Sequence, residues 1–218
     1  PLAQTALPDV QNAAHNKHHT TNKRTVASGN SEFTRLLRED GVVVPLVNLL
    51  YSPNWEVCEQ AVWALGNVAG DGPLCRDQLL SLGVLPALVR LIGNILTTRD
   101  PLPPTLLRTS AWALSNMFRG RPGPARDAVA AALPCLNALL QRCRDSEVVT
   151  DALWATSYAT DGDEDRAAAV IDAGVLDTVL RLLPTAPPTQ LTPALRAVGN
   201  VIASSGRLVR QLLERGVV

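Results

Sequence analysis

Self-similarity at a period near 42 residues constrains this chain more than any single motif, because a repeat architecture fixes the fold before local propensity is weighed. The stretch "SLGVLPALVRLI" (81–92) returns as "DAGVLDTVLRLL" (172–183), and "WALGN" (63–67) returns as "WALSN" (112–116) and "WATSY" (154–158). Trp63 precedes Gly83 by 20 residues, Trp154 precedes Gly174 by 20 and Arg196 precedes Gly216 by 20, with Ala132 in the glycine place after Trp112. Counting back from Gly41 by the same 20 gives Thr21. Equivalent positions are therefore 21, 63, 112, 154 and 196, separated by steps of 42, 49, 42 and 42 residues.

The long step contains "TTRDPLPPT" (97–105), whose prolines lack the N–H that a helix interior needs, so its seven extra residues are expected in a loop. Within each unit the apolar spacing is helical, and glycine or proline punctuates three segments, for example 54–69, 73–81 and 84–95. No segment alternates as a strand does. A three-helix unit of this length, burying its apolar faces against its neighbours, describes an armadillo-type α-solenoid. The expected fold is all-α, a right-handed superhelix of three-helix repeats in which the third helix of every unit forms one rung. Residues at one repeat position then line up along the superhelix.

At the first such position the rungs carry Trp63, Trp112, Trp154 and Arg196, and four residues later Asn67, Asn116, Tyr158 and Asn200. Side chains four apart share a helix face. A tryptophan stripe at helical spacing reads as core as readily as surface. The asparagines tilt that balance, since a buried primary amide carries donors and an acceptor that all need partners, and three in register inside a dry core are costly. Facing a groove, each could exchange hydrogen bonds with the main chain of an extended peptide. Slots between indoles suit the methylenes and charged heads of lysine or arginine. An acid is then expected at the slot's end, and Asp71, Asp151 and Asp161 are placed for it.

Composition sets limits rather than a function. The 20 basic and 20 acidic residues of this 218-residue chain give a formal net charge of zero, which removes any global argument for nucleic acid or an anionic membrane. No apolar run approaches the roughly 20 residues that cross a bilayer. Cys58, Cys75, Cys135 and Cys143 show no CxxC spacing and are expected as buried reduced thiols of a reducing compartment. The three histidines, His15, His18 and His19, have no acid or cysteine close by, so no metal site is expected. They pair by spacing with no serine or cysteine in an elbow motif, and "GNVAGDG" follows no strand as a phosphate-binding loop must. An enzyme is not expected, nor any cofactor. Starting at Pro1 and stopping at Val218 where an apolar segment begins, the sequence reads as a fragment.

The motifs "EQAVWALGNVAGDGP", "WALSNMFRG", "DALWATSYATDGDEDR" and "TPALRAVGNVIAS", in that order, resemble the second to sixth armadillo repeats of importin-α, the adaptor family that recognises nuclear localisation signals in cytoplasm and nucleus. The resemblance covers about residues 26–218, leaving 1–25 as an atypical segment with a degenerate first repeat. It implies a concave groove lined by Trp63, Asn67, Trp112, Asn116 and Trp154 that binds a lysine- or arginine-rich signal peptide antiparallel to the repeats. It also implies a selective lysine pocket built from Gly29, Thr34 and Asp71, with Gln60 as a further groove residue. Arg119, Asp151, Tyr158, Asp161, Arg196 and Asn200 match the region between the family's major and minor sites. Arg119 and Asp151 are also expected to pair across neighbouring helices.

The sequence departs from the family at defined places. Thr21 and Thr25 stand where the first ladder tryptophan and asparagine belong, Thr109 stands where an asparagine is usual, and "VIASS" (201–205) alters the segment after Asn200, which weakens the minor-site match. The basic importin-β-binding segment that precedes the repeats in the family is not visible in the first 24 residues, so cargo binding without recruitment of importin-β is the expectation. The competing reading is a catenin-like armadillo scaffold that shares the fold without signal recognition. Such grooves present cations to acidic ligands, whereas this ladder is aromatic and amide with acids between.

Overall fold

The computed structural model describes residues 41–100 and 102–214. Eleven α-helices run through these residues, with no strand among them: α1 Val43–Leu49, α2 Trp55–Gly70, α3 Pro73–Ser81, α4 Val84–Thr97, α5 Pro104–Phe118, α6 Arg126–Arg142, α7 Ser146–Thr160, α8 Glu164–Asp172, α9 Val175–Leu182, α10 Pro188–Ser204 and α11 Gly206–Glu214. A short 3-10 turn, Leu183–Thr185, follows α9. No single described helix is long and apolar enough to cross a membrane.

Local chemistry accounts for the boundaries. Asn54 caps α2 by accepting the backbone N–H of Glu56 at 2.9 Å and of Val57 at 3.4 Å, and Asp145 caps α7 in the same way through Glu147 and Val148. Pro73, Pro104 and Pro188 open α3, α5 and α10, where a missing N–H removes nothing from the helix. Between α3 and α4 the chain turns through Gly83 at φ +78°, and between α8 and α9 through Gly174 at φ +70°, a left-handed conformation that glycine adopts without steric cost. The two helices flanking Gly83 meet at 76°.

The expected three-helix unit fails once, in the unit after Trp112. Ala132 holds the glycine place there, and a residue with a Cβ resists the left-handed turn. The chain instead continues as the single 17-residue helix α6, through Ala132 and Pro134. That unit therefore has two helices. The seven-residue insertion behaves as expected: residues 98–100, 102 and 103 lie outside any helix between α4 and α5.

The third helices α2, α5, α7 and α10 pack side by side as successive rungs and make the most extensive contacts among the described elements. Central rungs are covered from both sides. In α5 the run Ala113 to Phe118 is buried throughout, and in α7 so are Ala152, Leu153, Ala155, Thr156, Ser157, Ala159 and Thr160. Leu79, Leu88, Ile92, Leu136, Leu139, Val170 and Leu176 fill the layer beneath from the first and second helices. All four cysteines are buried and none forms a disulfide, and burial pushes the Cys135 thiol up to about 12, aided by the neighbouring Cys143.

Candidate functional site

With both flanks of α5 and α7 occupied, only a narrow strip of each rung reaches solvent. On α5 it runs through Thr105, Arg108, Thr109 and Trp112, and on α7 through Glu147, Thr150, Asp151, Trp154 and Tyr158. Helical spacing makes each set one face. On α2 the equivalent strip holds Gln60, which is exposed, then Trp63 and Asn67, and ends at exposed Asp71. Trp63, Trp112 and Trp154 are each half-buried, neither shielded from water nor projecting freely.

The packing of Trp112 explains this intermediate state. Its ring lies on the preceding rung against Gly66, where a Cβ would stand 2.4 Å from Cζ3 of the indole. Glycine inside a helix costs about 1 kcal/mol relative to alanine, and here it is what lets the ring lie flat on the neighbouring backbone. Trp154 stacks on Tyr158 with ring centroids 5.8 Å apart and planes at 25°.

The amides behave differently from the expectation that they face the groove. Asn116 is buried, with 5% of its surface exposed, and its Nδ2 donates to the Gly66 carbonyl of the preceding rung at 3.0 Å. Asn200 repeats the bond one rung pair further on, donating to the Ser157 carbonyl at 2.9 Å. Asn67 turns to its own helix and donates to the Trp63 carbonyl at 3.0 Å. The predicted cost of a buried amide is met because a helical carbonyl keeps a second lone pair after its intrahelical bond. Asn116 and Asn200 stitch rungs together, Asn67 bonds within its own rung, and one N–H of each amide is engaged.

The acids divide into three environments. Asp71 caps the C-terminus of α2, and no cation among the described residues pairs with it; the Cys75 thiol lies 3.8 Å away. Asp151 is held up to about 6, first by burial and then by the neighbouring Glu147 carboxylate. No ion pair within 4.0 Å joins it to Arg119, contrary to the expected bridge. The chain leaves α5 at Arg119 in an extended conformation, with the Arg119 carbonyl accepting from Arg76 Nη1 at 2.8 Å and the Arg119 side chain exposed. Asp161 is paired twice, with Arg121 Nη2 at 2.5 Å and Arg196 Nη2 at 3.7 Å.

Gly29 and Thr34, the other two members of the expected lysine pocket, lie outside the described residues, as do Thr21, Thr25 and the three histidines. No cluster of metal-ligating side chains occurs among the described residues. Three residues that shape the strip were not singled out from sequence: Gly66, Arg121 and Arg108. Arg108 Nε donates to Asp145 at 2.8 Å and its Nη1 lies 3.1 Å from Glu147, pinning α5 to the start of α7. A glycine inside "WALGN" is the one sequence signal for Gly66.

Residues 30–70 match the Armadillo/beta-catenin-like repeat family. Importin subunit alpha-1b of Oryza sativa subsp. japonica is 44% identical over 177 residues, covering 81% of this chain and 32% of the relative. Importin subunit alpha-6 of Arabidopsis thaliana is 48% identical over 151 residues, covering 69% and 27%. The chain thus spans about a third or less of the length of these relatives. Among solved structures, a designed armadillo repeat protein in complex with the peptide (KR)4 is similar at a TM-score of 0.72 and 28% identity, covering 88% of this chain and 78% of that one. Rung order, tryptophan register and these identities agree, and the chain belongs to the importin-α family of armadillo-repeat proteins.

Proposed function

We propose that this chain carries the cargo-reading surface of a nuclear import adaptor, binding extended lysine- and arginine-rich localisation signals along the strip formed by α2, α5 and α7. The observation that carries the reading is the row of half-exposed indoles, Trp63, Trp112 and Trp154, on adjacent rungs, with Asp71 exposed beyond the first of them. Lysine and arginine stems pack on such rings while the charged head reaches an acid, at roughly 0.5–2 kcal/mol per site. Several such sites together with main-chain hydrogen bonds at about 1 kcal/mol each reach the roughly 8 kcal/mol of micromolar binding; one site does not. The Asn67 nitrogen already donates to the Trp63 carbonyl of its own helix and the Asn116 nitrogen to the Gly66 carbonyl of the preceding rung, so an incoming peptide's backbone N–H groups are the donors that suit the half-buried Asn67 amide oxygen.

The solved relative bound to (KR)4 supports a basic ligand for this fold, and the importin subunits support nuclear import as its setting. In that role the protein would work in both cytoplasm and nucleus. The strip's cation Arg108 is already paired with Asp145 and Glu147, which leaves the catenin-like scaffold reading less support here. A titration with a lysine-rich peptide tests the assignment. Binding is expected to weaken as salt rises, and Trp112→Ala is expected to lower affinity about three- to thirtyfold with helicity retained. Equal affinity for an alanine-substituted peptide would sink the reading.

A further inference from the structure

The second helices, beneath the rungs, carry a group of cations that the strip does not use. Gln141, in the last turn of α6, reaches across to α9 and donates from Nε2 to Thr178 Oγ1 at 3.2 Å. The same hydroxyl accepts from Arg181 Nη2 at 2.9 Å and donates to Asn137 Oδ1 at 2.8 Å. Arg144, just past the end of α6, folds back on that helix and donates from Nη1 to the Gln141 carbonyl at 3.3 Å and to the Cys143 carbonyl at 3.4 Å. Gln141 and Thr178 lie 37 positions apart, and so do Arg144 and Arg181, so the register that joins the two helices brings both guanidiniums to the same end of the pair. Arg142, the last residue of α6, stands exposed beside them.

None of these three guanidiniums pairs with a carboxylate among the described residues. The acids that follow Arg144 in the chain are committed to α5 instead: Asp145 Oδ2 accepts from Arg108 Nε at 2.8 Å, and Glu147 lies 3.1 Å from Arg108 Nη1. Asp177, one turn before Arg181 on α9, does not come within ion-pair distance of it. A cation near a helix C-terminus complements the helix dipole, which accounts for one arginine at each end, but the end of α6 has two. Their donors are also mostly unspent: a guanidinium carries five N–H groups, and Arg181 and Arg144 each engage one nitrogen, Nη2 and Nη1 respectively. Two planar forks, each steadied on one side and open on the other, match the oxygens of a phosphate, whose double negative charge answers both. A single carboxylate would satisfy only one fork. We propose that Arg144 and Arg181, with Arg142 beside them, form a docking site for a phosphorylated side chain on an acidic segment of a partner protein. This site is distinct from the strip and holds whether or not the strip reads basic peptides. All three arginines are exposed, so salt screens the attraction and discrimination rests on the forks.

Fluorescence anisotropy at low salt tests the site with a peptide carrying one phosphoserine among glutamates, set against the same peptide with serine and with glutamate in that place. The phosphopeptide is expected to bind about tenfold more tightly than the serine peptide, the worth of one set of charge-assisted bonds, with the glutamate peptide close to serine. Arg144→Ala and Arg181→Ala are each expected to lower phosphopeptide affinity about three- to tenfold, and together to remove the preference for phosphate. Arg181→Lys keeps the charge but loses the fork, and is expected to lose most of that preference. Arg126→Ala takes the same charge from the opposite end of α6 and is expected to change phosphopeptide affinity by less than about twofold. Circular dichroism checks that each variant keeps its helicity. A glutamate peptide that binds as tightly as the phosphopeptide refutes phosphate recognition. If Arg126→Ala weakens binding as much as Arg181→Ala does, only bulk charge is at work and the site falls. It falls equally if the phosphopeptide shows no binding to the unaltered protein, a result that would leave the reading of the strip untouched.

Discussion

Gly66 shows how one missing methyl group positions a binding surface. A Cβ there would meet Trp112 Cζ3 at 2.4 Å and Ala113 Cβ at 3.0 Å, and no side-chain rotation of alanine relieves such contacts. Gly66→Ala is expected to push the indole off its seat and to destabilise by about 1–3 kcal/mol despite alanine's better helix propensity. A thermal melt together with the indole emission of Trp112 would check both effects; an unchanged or raised midpoint would show that the ring yields without cost. Asp151 supplies the pH-dependent test at this scale. Its carboxyl is held at about 6 by burial and Glu147, against an ordinary value of 3.8, so between those values the folded chain binds more protons than the unfolded one. Its contribution to stability therefore falls as pH rises from about 4 to about 6, while its charge, and hence its attraction for a cationic peptide, appears over the same window. Asp151→Asn is expected to flatten the rise in lysine-peptide affinity between pH 5 and 7 and to raise stability at pH 7. The tryptophan register was readable from sequence because it needs only spacing. The fate of the asparagine nitrogens and the double pairing of Asp161 was not, because Asn116 answers to Gly66 50 residues away and Arg121 to Asp161 40 residues away.

At the scale of the helix, one repeat position carries opposite demands in different units. Gly83 and Gly174 are left-handed turns between two helices, and nothing lies within 4 Å of a Cβ built at Gly83, so Gly83→Ala is expected to cost about 1–2 kcal/mol through backbone strain alone. Ala132 lies fully buried in the interior of α6, so the reverse change, Ala132→Gly, is expected to cost about 1 kcal/mol rather than restore a favourable turn. Urea denaturation of the two variants would show both midpoints lowered; a stabilised Ala132→Gly would mean that the unit prefers three helices. Helix boundaries were legible wherever chemistry punctuates them: segments read as 54–69, 73–81 and 84–95 form at Trp55–Gly70, Pro73–Ser81 and Val84–Thr97. The fused helix was hidden because alanine in a glycine place looks like a tolerated substitution in an alignment of units, whereas physically it removes the only residue that turns the chain there.

Across the whole molecule, stability in a stack of units is a sum of units and their interfaces, so whatever ties neighbours together decides whether they melt as one. Two buried guanidiniums do this from opposite sides of one loop. Arg76 on α3 donates from Nη1 to the Arg119 carbonyl and from Nη2 to the Pro122 carbonyl, both at 2.8 Å, with none of its surface exposed. Arg166 on α8 donates from Nη1 to the Pro124 carbonyl at 3.4 Å and from Nη2 to the Asp161 carbonyl at 2.9 Å. The loop from Arg119 to Pro124, which also presents Arg121 to Asp161, is thereby keyed to the units on both flanks. A lysine at position 76 would keep the charge but lose the planar fork that serves two carbonyls at once. Arg76→Lys is expected to cost about 3 kcal/mol, the order expected when buried groups bonded to a charge lose their partner. Because the loss falls on an interface, it should also uncouple the stack: a single urea transition in the unaltered chain should broaden or divide, with amides of α1–α4 exchanging before those of α6–α9. A variant that merely shifts the whole transition, with exchange rates raised evenly along the chain, would show that Arg76 stabilises its own unit and does not join the two.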